Sequence, residues 1–191
     1  MKMRIDEVAE ITQKLNLAAP KMYLFALKHY PDIVDKVCDG VGSHGSILQR
    51  LLVPDTILGI NINPISHIHD WEYVFPMYYP WILNGREARA EADARFVSNC
   101  QILFKGTRLE GCRNFISRNI HYRLIRKHGV RAFWNNKIAP RNWDKQLPAE
   151  CKDLEINLHP VENRYIVGDV GKYDEYREFY NFLVKRMKVM Q

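Results

Sequence analysis

An aspartate in the middle of an apolar helix face restricts the fold of this chain more than any other feature. From Arg86 to about Phe104 the residues repeat at helical spacing, and Ala90, Asp93, Ala94, Phe96, Val97 and Cys100 share one face. A carboxylate buried without partners is costly, so the fold must carry donors to Asp93. Backbone amides or an arginine would serve. So would an imidazole from a neighbouring helix.

The preceding helix offers such an imidazole. Asn63-Pro64 reads as an N-cap followed by proline at the first helical position, and Pro76 stops the helix after Phe75. Ile65, His69 and Tyr73 lie on its inward face, with Ile62 just before. A histidine there is ordinarily a core residue with one nitrogen satisfied. With a buried aspartate on the next helix it becomes half of a dyad: Asp93 accepts the Nε2 proton, and Nδ1 remains as a base. Asp70, about 100° further round the helix, cannot face the same way. It can face Cys38-Asp39-Gly40-Val41-Gly42, a loop whose glycines let successive carbonyls turn inward. Carbonyl oxygens with one carboxylate are a ligand set for a hard cation such as calcium, held weakly because only one unit of charge is supplied.

These segments together resemble phospholipase A2. That family pairs a Gly-x-Gly calcium loop with a helix bearing His-Asp-x-x-Tyr, here His69-Asp70-Trp71-Glu72-Tyr73. A second helix follows with an aspartate, here within Ala90-Glu91-Ala92-Asp93-Ala94-Arg95-Phe96. The order along the chain agrees. The interval of 24 residues from His69 to Asp93 is like that of the compact bacterial members. The resemblance covers about residues 35–105 and implies a phospholipase A2-like core of antiparallel helices. It implies His69 as general base, Asp93 as its orienting partner and Tyr73 as a support for Asp93. Asp70 and the carbonyls of Cys38, Gly40 and Gly42 would hold Ca2+, and the Gly40 amide would help to stabilise an oxyanion. The implied reaction is hydrolysis of a phospholipid or other acyl ester. Ile68 stands where the family has a cysteine, and residues 106–191 have no counterpart in it.

Composition and charge fit this reading without selecting it. Among the 191 residues 47% are hydrophobic, enough for an ordinary core, and the net charge of +6 favours anionic partners such as a membrane surface. Nucleic acid is the less expected partner. Four cysteines, none in C-x-x-C spacing, suggest buried thiols rather than a disulfide scaffold or a zinc knuckle. The charged N-terminal segment has no signal-peptide core, and no apolar run is long enough for a membrane helix. The expectation is a cytoplasmic protein, or one exported by a non-classical route.

The remaining chain reads as mainly α. Residues 5–29 form two helical stretches interrupted at Pro20. Thr107-Arg108-Leu109-Glu110 reads as a capping box opening a helix to about Lys127, stopped by Gly129. Residues 154–167 allow a short hairpin, and Asp174 to Met190 a last helix with Tyr176, Phe179, Tyr180, Leu183 and Met187 on one face. The expected division is a helical core at 1–137 and an α-rich C-terminal extension at 138–191 packed on it.

Two other functions compete. His67-x-His69-Asp70 suggests a transition-metal site, but residues 67 and 69 point about 200° apart on a helix. Alternatively, Arg113, Arg118, Arg123, Arg126 and Lys127, with His121 and Tyr122 among them, could make the third helix a non-enzymatic module for anionic lipid or nucleic acid phosphates. Trp71, Trp81, Trp134 and Trp143 are either interfacial anchors or core residues.

Overall fold

The computed structural model describes residues 3–38, 55–75, 85–139 and 153–190, and the fold is mainly helical. Helices α1 (Ile5–Lys14), α2 (Lys21–His29) and α3 (Pro31–Val37) come first, then a two-residue-stranded hairpin, β1 (Thr56–Ile57) and β2 (Ile60–Asn61). Helices α4 (Asn63–Val74) and α5 (Gly85–Phe104) follow. Next come α6 (Glu110–Ile116), a π turn (Ser117–His121), α7 (Tyr122–His128) and α8 (Val130–Trp134). Strands β3 (Lys137–Ile138), β4 (Ile156–Leu158) and β5 (Tyr165–Val167) form an antiparallel sheet in the order β3-β5-β4, and α9 (Val170–Val189) ends the chain. No helix among the described residues is long and apolar enough to cross a membrane.

Helix α4 is the centre. Residues 63–69 and 71–73 are all buried, which leaves only Asp70 and Val74 half-exposed. A helix buried nearly all round belongs inside the core rather than on its surface. It packs on α1, α3, α5 and α8. Helix α5 packs against it, with Asp93 bonded to His69 and Tyr73 and Arg89 reaching the Tyr73 hydroxyl. The inward face of α5 is turned from the expected one. Arg89, Ala92, Asp93, Phe96, Asn99 and Cys100 are buried, whereas Ala94 is exposed and Ala90 and Val97 are half-buried. Small alanines constrain a helix face weakly, and the large Phe96 sets it.

Local chemistry explains the joints. Helix α1 closes in a Schellman motif: Leu17 N–H donates to Thr12 C=O at 3.0 Å and Asn16 N–H to Gln13 C=O at 3.1 Å, with Asn16 at φ 49°. Asn99 then clamps the following segment, accepting from Ala18 N–H at 2.8 Å and donating to Ala18 C=O at 2.9 Å. The expected capping box at Thr107 is not formed. Thr107 Oγ1 donates to Phe104 C=O at 2.6 Å, Glu110 accepts instead from Gly106 N–H at 2.7 Å, and the helix starts at Glu110. Helix α9 begins four residues earlier than expected, at Val170, where the Asp169 side chain accepts from Lys172 N–H. The expected hairpin is β4 and β5. The boundary expected after residue 137 falls within β3, which pairs with β5.

Trp71 and Trp134 are core residues, while Trp81 and Trp143 lie outside the described residues. Cys38 and Cys100 are buried as expected, and burial pushes the Cys100 thiol up to about 12; Cys112 is exposed, against that expectation. Cys151 is not among the described residues.

Candidate functional site

Asp93 is the hub of a buried polar cluster between α4, α5 and α7. Its side chain is fully shielded from solvent. One oxygen, Oδ1, accepts from His69 Nε2 at 2.9 Å and from the Tyr73 hydroxyl at 2.7 Å. The other, Oδ2, accepts from Arg126 at 2.8 Å, with the Arg89 guanidinium 3.9 Å away. Burial pushes the Asp93 carboxyl up, but the bonds from His69, Arg126 and Tyr73 outweigh it and hold the group below the usual carboxylate range. Burial and the adjacent Asp93 charge raise the Tyr73 hydroxyl well above its ordinary value, so it stays protonated and donates.

Helical spacing puts His69 and Tyr73 on one face, one turn apart, and their rings lie 4.1 Å apart between centroids. Phe96 packs edge-on against His69 at 5.5 Å. The imidazole is therefore fixed on three sides, with Nε2 committed to Asp93. Among the described residues none hydrogen-bonds Nδ1, the nitrogen that a base would use.

The arginines were not assigned to this site by the sequence pattern. Arg89 lies on the inward face of α5, donating to the carbonyls of Ile125 at 3.0 Å and Arg126 at 2.5 Å and reaching the Tyr73 oxygen at 3.4 Å. It thereby carries the end of α7 to α5. Arg113, counted among the basic residues of the third helix, is also buried, donating to the carbonyls of Ile57 at 3.2 Å and Leu58 at 2.7 Å. Of the five basic residues counted on the third helix, Arg113 and Arg126 thus bond groups inside the fold.

Lys137 is another inward cation. Its ammonium donates to Tyr73 C=O at 2.5 Å and lies 4.9 Å from the Phe133 ring centroid, and burial pushes it down to about 7. Glu72 pairs with Arg95, yet burial outweighs that partner and raises its carboxyl to about 7. Gly129 sits at the end of α7 with φ −77°, not in the left-handed conformation expected of a glycine stop. Space is the constraint instead: a Cβ there would lie 2.7 Å from both Ile125 C=O and the Tyr73 hydroxyl.

For the expected cation ligands, Cys38 and Asp70 are described, whereas Gly40 and Gly42 lie outside the described residues. Cys38 ends α3 and is buried; Asp70 is half-exposed. Both act electrostatically on the Tyr23 hydroxyl, which burial first, then Cys38 and, more weakly, Asp70 raise well above its ordinary value. His67 is buried with its Nε2 3.8 Å from an Asp35 oxygen, on a different side from His69. The two histidines do not converge on one ion.

His159, Glu162 and Asp174 gather their side-chain atoms within 4.8 Å, a metal-like grouping. Its hydrogen bonds assign it otherwise. His159 Nδ1 accepts from the backbone N–H groups of Val161 at 3.3 Å and Glu162 at 2.9 Å, so Nε2 carries the proton and donates to Asp174 at 3.0 Å. Arg177 pairs with Glu162. This cluster pins the β4–β5 turn to α9.

No family model matches this chain, and neither a curated protein nor a solved structure matches it.

Proposed function

We propose that this protein hydrolyses phospholipid acyl esters in a calcium-dependent reaction, with His69 as general base and Asp93 as its orienting carboxylate. One observation carries the reading: the fully buried Asp93 accepts both His69 Nε2 and the Tyr73 hydroxyl on the same oxygen. A neutral imidazole held through Nε2 presents Nδ1 to a water. Taking the water proton at Nδ1 makes the ring an imidazolium, whose Nε2–H still donates to the Asp93 carboxylate. Arg126 and Arg89 keep Asp93 ionised through this step, so it stabilises the positive ring rather than sharing its charge as a neutral acid. Tyr73 fixes the Oδ1 lone pair toward His69.

Asp70 and the carbonyls of Cys38, Gly40 and Gly42 form the set suited to calcium. A half-exposed carboxylate together with backbone carbonyls is the ligand chemistry that suits a hard cation. When bound, calcium supplies a Lewis acid for the ester carbonyl. The Gly40 amide is placed by the family resemblance as a donor to the developing oxyanion.

The test is hydrolysis of a short-chain phospholipid with calcium or with chelator, on wild type and His69→Gln. The expected result is loss of activity on chelation and a fall of about 10²- to 10⁴-fold in the variant, with folding unchanged by circular dichroism. Activity that survives both treatments would exclude this mechanism. A purely basic docking module is the weaker reading, because Arg113 and Arg126 serve internal carbonyl and carboxylate groups.

A further inference from the structure

Two arginines stand beside Asp93, and they differ in exposure. Arg89, with its side chain only 8% exposed, is the kind of counter-ion a buried carboxylate requires, and it is anchored by two carbonyls. Arg126 touches the same oxygen but its side chain is 36% exposed. A guanidinium has five N–H donors. Arg126 donates one of them to Asp93, and among the described residues the others have no hydrogen-bond partner. Its outer edge is therefore available to a ligand, one carboxylate away from the base His69.

Arg126 is not isolated. Arg123 and Lys127 are three residues before it and one after it on α7, and both are exposed. Residues at i, i+3 and i+4 share a helix face, so these three cations form one stripe whose inner member enters the dyad. A planar fork with flanking positive charge matches a phosphate oxyanion and repels a quaternary ammonium group.

We propose that Arg126, flanked by Arg123 and Lys127, recognises the phosphate of the acyl-ester substrate and selects net-anionic headgroups over zwitterionic or uncharged ones. This rests on the reading of the site as a phospholipid acyl hydrolase. It gives the third helix, which has no counterpart in the resembled family, a role in specificity.

The experiment separates recognition from hydrolysis. In chelator, wild type, His69→Gln, Arg126→Lys, Arg126→Gln and the exposed double variant Arg123→Gln/Lys127→Gln are titrated with dihexanoyl phosphatidate, dihexanoyl phosphatidylcholine and inorganic phosphate. Wild type and His69→Gln are expected to bind phosphatidate at least about tenfold more tightly than phosphatidylcholine. Arg126→Gln is expected to lose that advantage, and Arg126→Lys and the double variant to keep part of it. With calcium present, the exposed double variant Arg123→Gln/Lys127→Gln should raise KM for phosphatidate more than it lowers kcat. A merely structural counter-ion would instead change both lipids alike. The proposal is overturned if Arg126→Gln binds phosphatidate as wild type does, or if inorganic phosphate binds as tightly as phosphatidate. If Arg126→Gln does not fold, an unchanged preference in the double variant overturns it equally. Arg126-dependent binding without turnover would sink the hydrolase reading alone.

Discussion

At the scale of single residues, the cost of burying Asp93 organises everything near it. A shielded carboxylate with two arginines, an imidazole and a phenol around it is stabilising only while all partners are present. Asp93→Asn leaves the arginines facing a neutral amide, and a loss of about 3–5 kcal/mol is expected in urea unfolding at pH 7. The pH dependence has a definite sign. The folded-state carboxyl lies below its unfolded value. Its stabilisation is therefore complete above the ordinary carboxylate range and disappears as the pH falls through the lowered value. The difference between wild type and Asp93→Asn should shrink in the same measurement at pH 2.5. An undiminished difference would mean that Asp93 is not ionised in the fold.

At the scale of elements, the turns hold strain that the helices do not. The β1–β2 connection has both central residues at positive φ, Leu58 at 46° and Gly59 at 83°, the pattern of a type I′ hairpin. Glycine is suited to this and leucine is not. Leu58 is also 46% exposed, so its side chain has little packing to offset the strain. Arg113 holds the turn from α6 through the carbonyls of Ile57 and Leu58. Leu58→Asn keeps those carbonyls and tolerates the conformation better. It is expected to stabilise by about 1 kcal/mol and raise Tm by about 2–4 °C, whereas Leu58→Val should lower Tm. The π turn at Ser117–His121 is a second irregularity. It keeps Arg113, Ser117, His121 and Ile125 buried along a helix that continues from Glu110 to His128.

At the scale of the molecule, inward cations tie distant segments to the central helix. Lys137 joins β3, and through it the β3-β5-β4 sheet, to the end of α4 at Tyr73. Burial holds its folded-state value near 7, below the unfolded one. Between those values the unfolded chain binds a proton that the folded chain does not, so stability rises with pH from about 7 to 10. Lys137→Met should flatten that rise when denaturation midpoints are compared at pH 7 and pH 9.5. A wild-type midpoint that is itself flat would show Lys137 to be charged inside the fold.

The chain's local chemistry by itself determined the helices around the site and three of its members. Asn63-Pro64 and Pro76 bracket α4, and 3.6-residue spacing places His69 with Tyr73 and puts Asp93 on a buried face. These properties depend on neighbours a few residues apart, so they can be read in one dimension. The same logic misplaced the capping box, the inward face of α5 and the role of Gly129, because hydroxyls, alanines and glycines have several local uses. Only tertiary packing chose among them. Arg89, Arg113, Arg126 and Lys137 look like ordinary surface cations in sequence. They turn inward because a buried carboxylate and backbone carbonyls shielded from water, all more than 30 residues away except Asp93 beside Arg89 on α5 and the Asn135 carbonyl beside Lys137, had to be satisfied. That need arises only once α4, α5 and α7 meet.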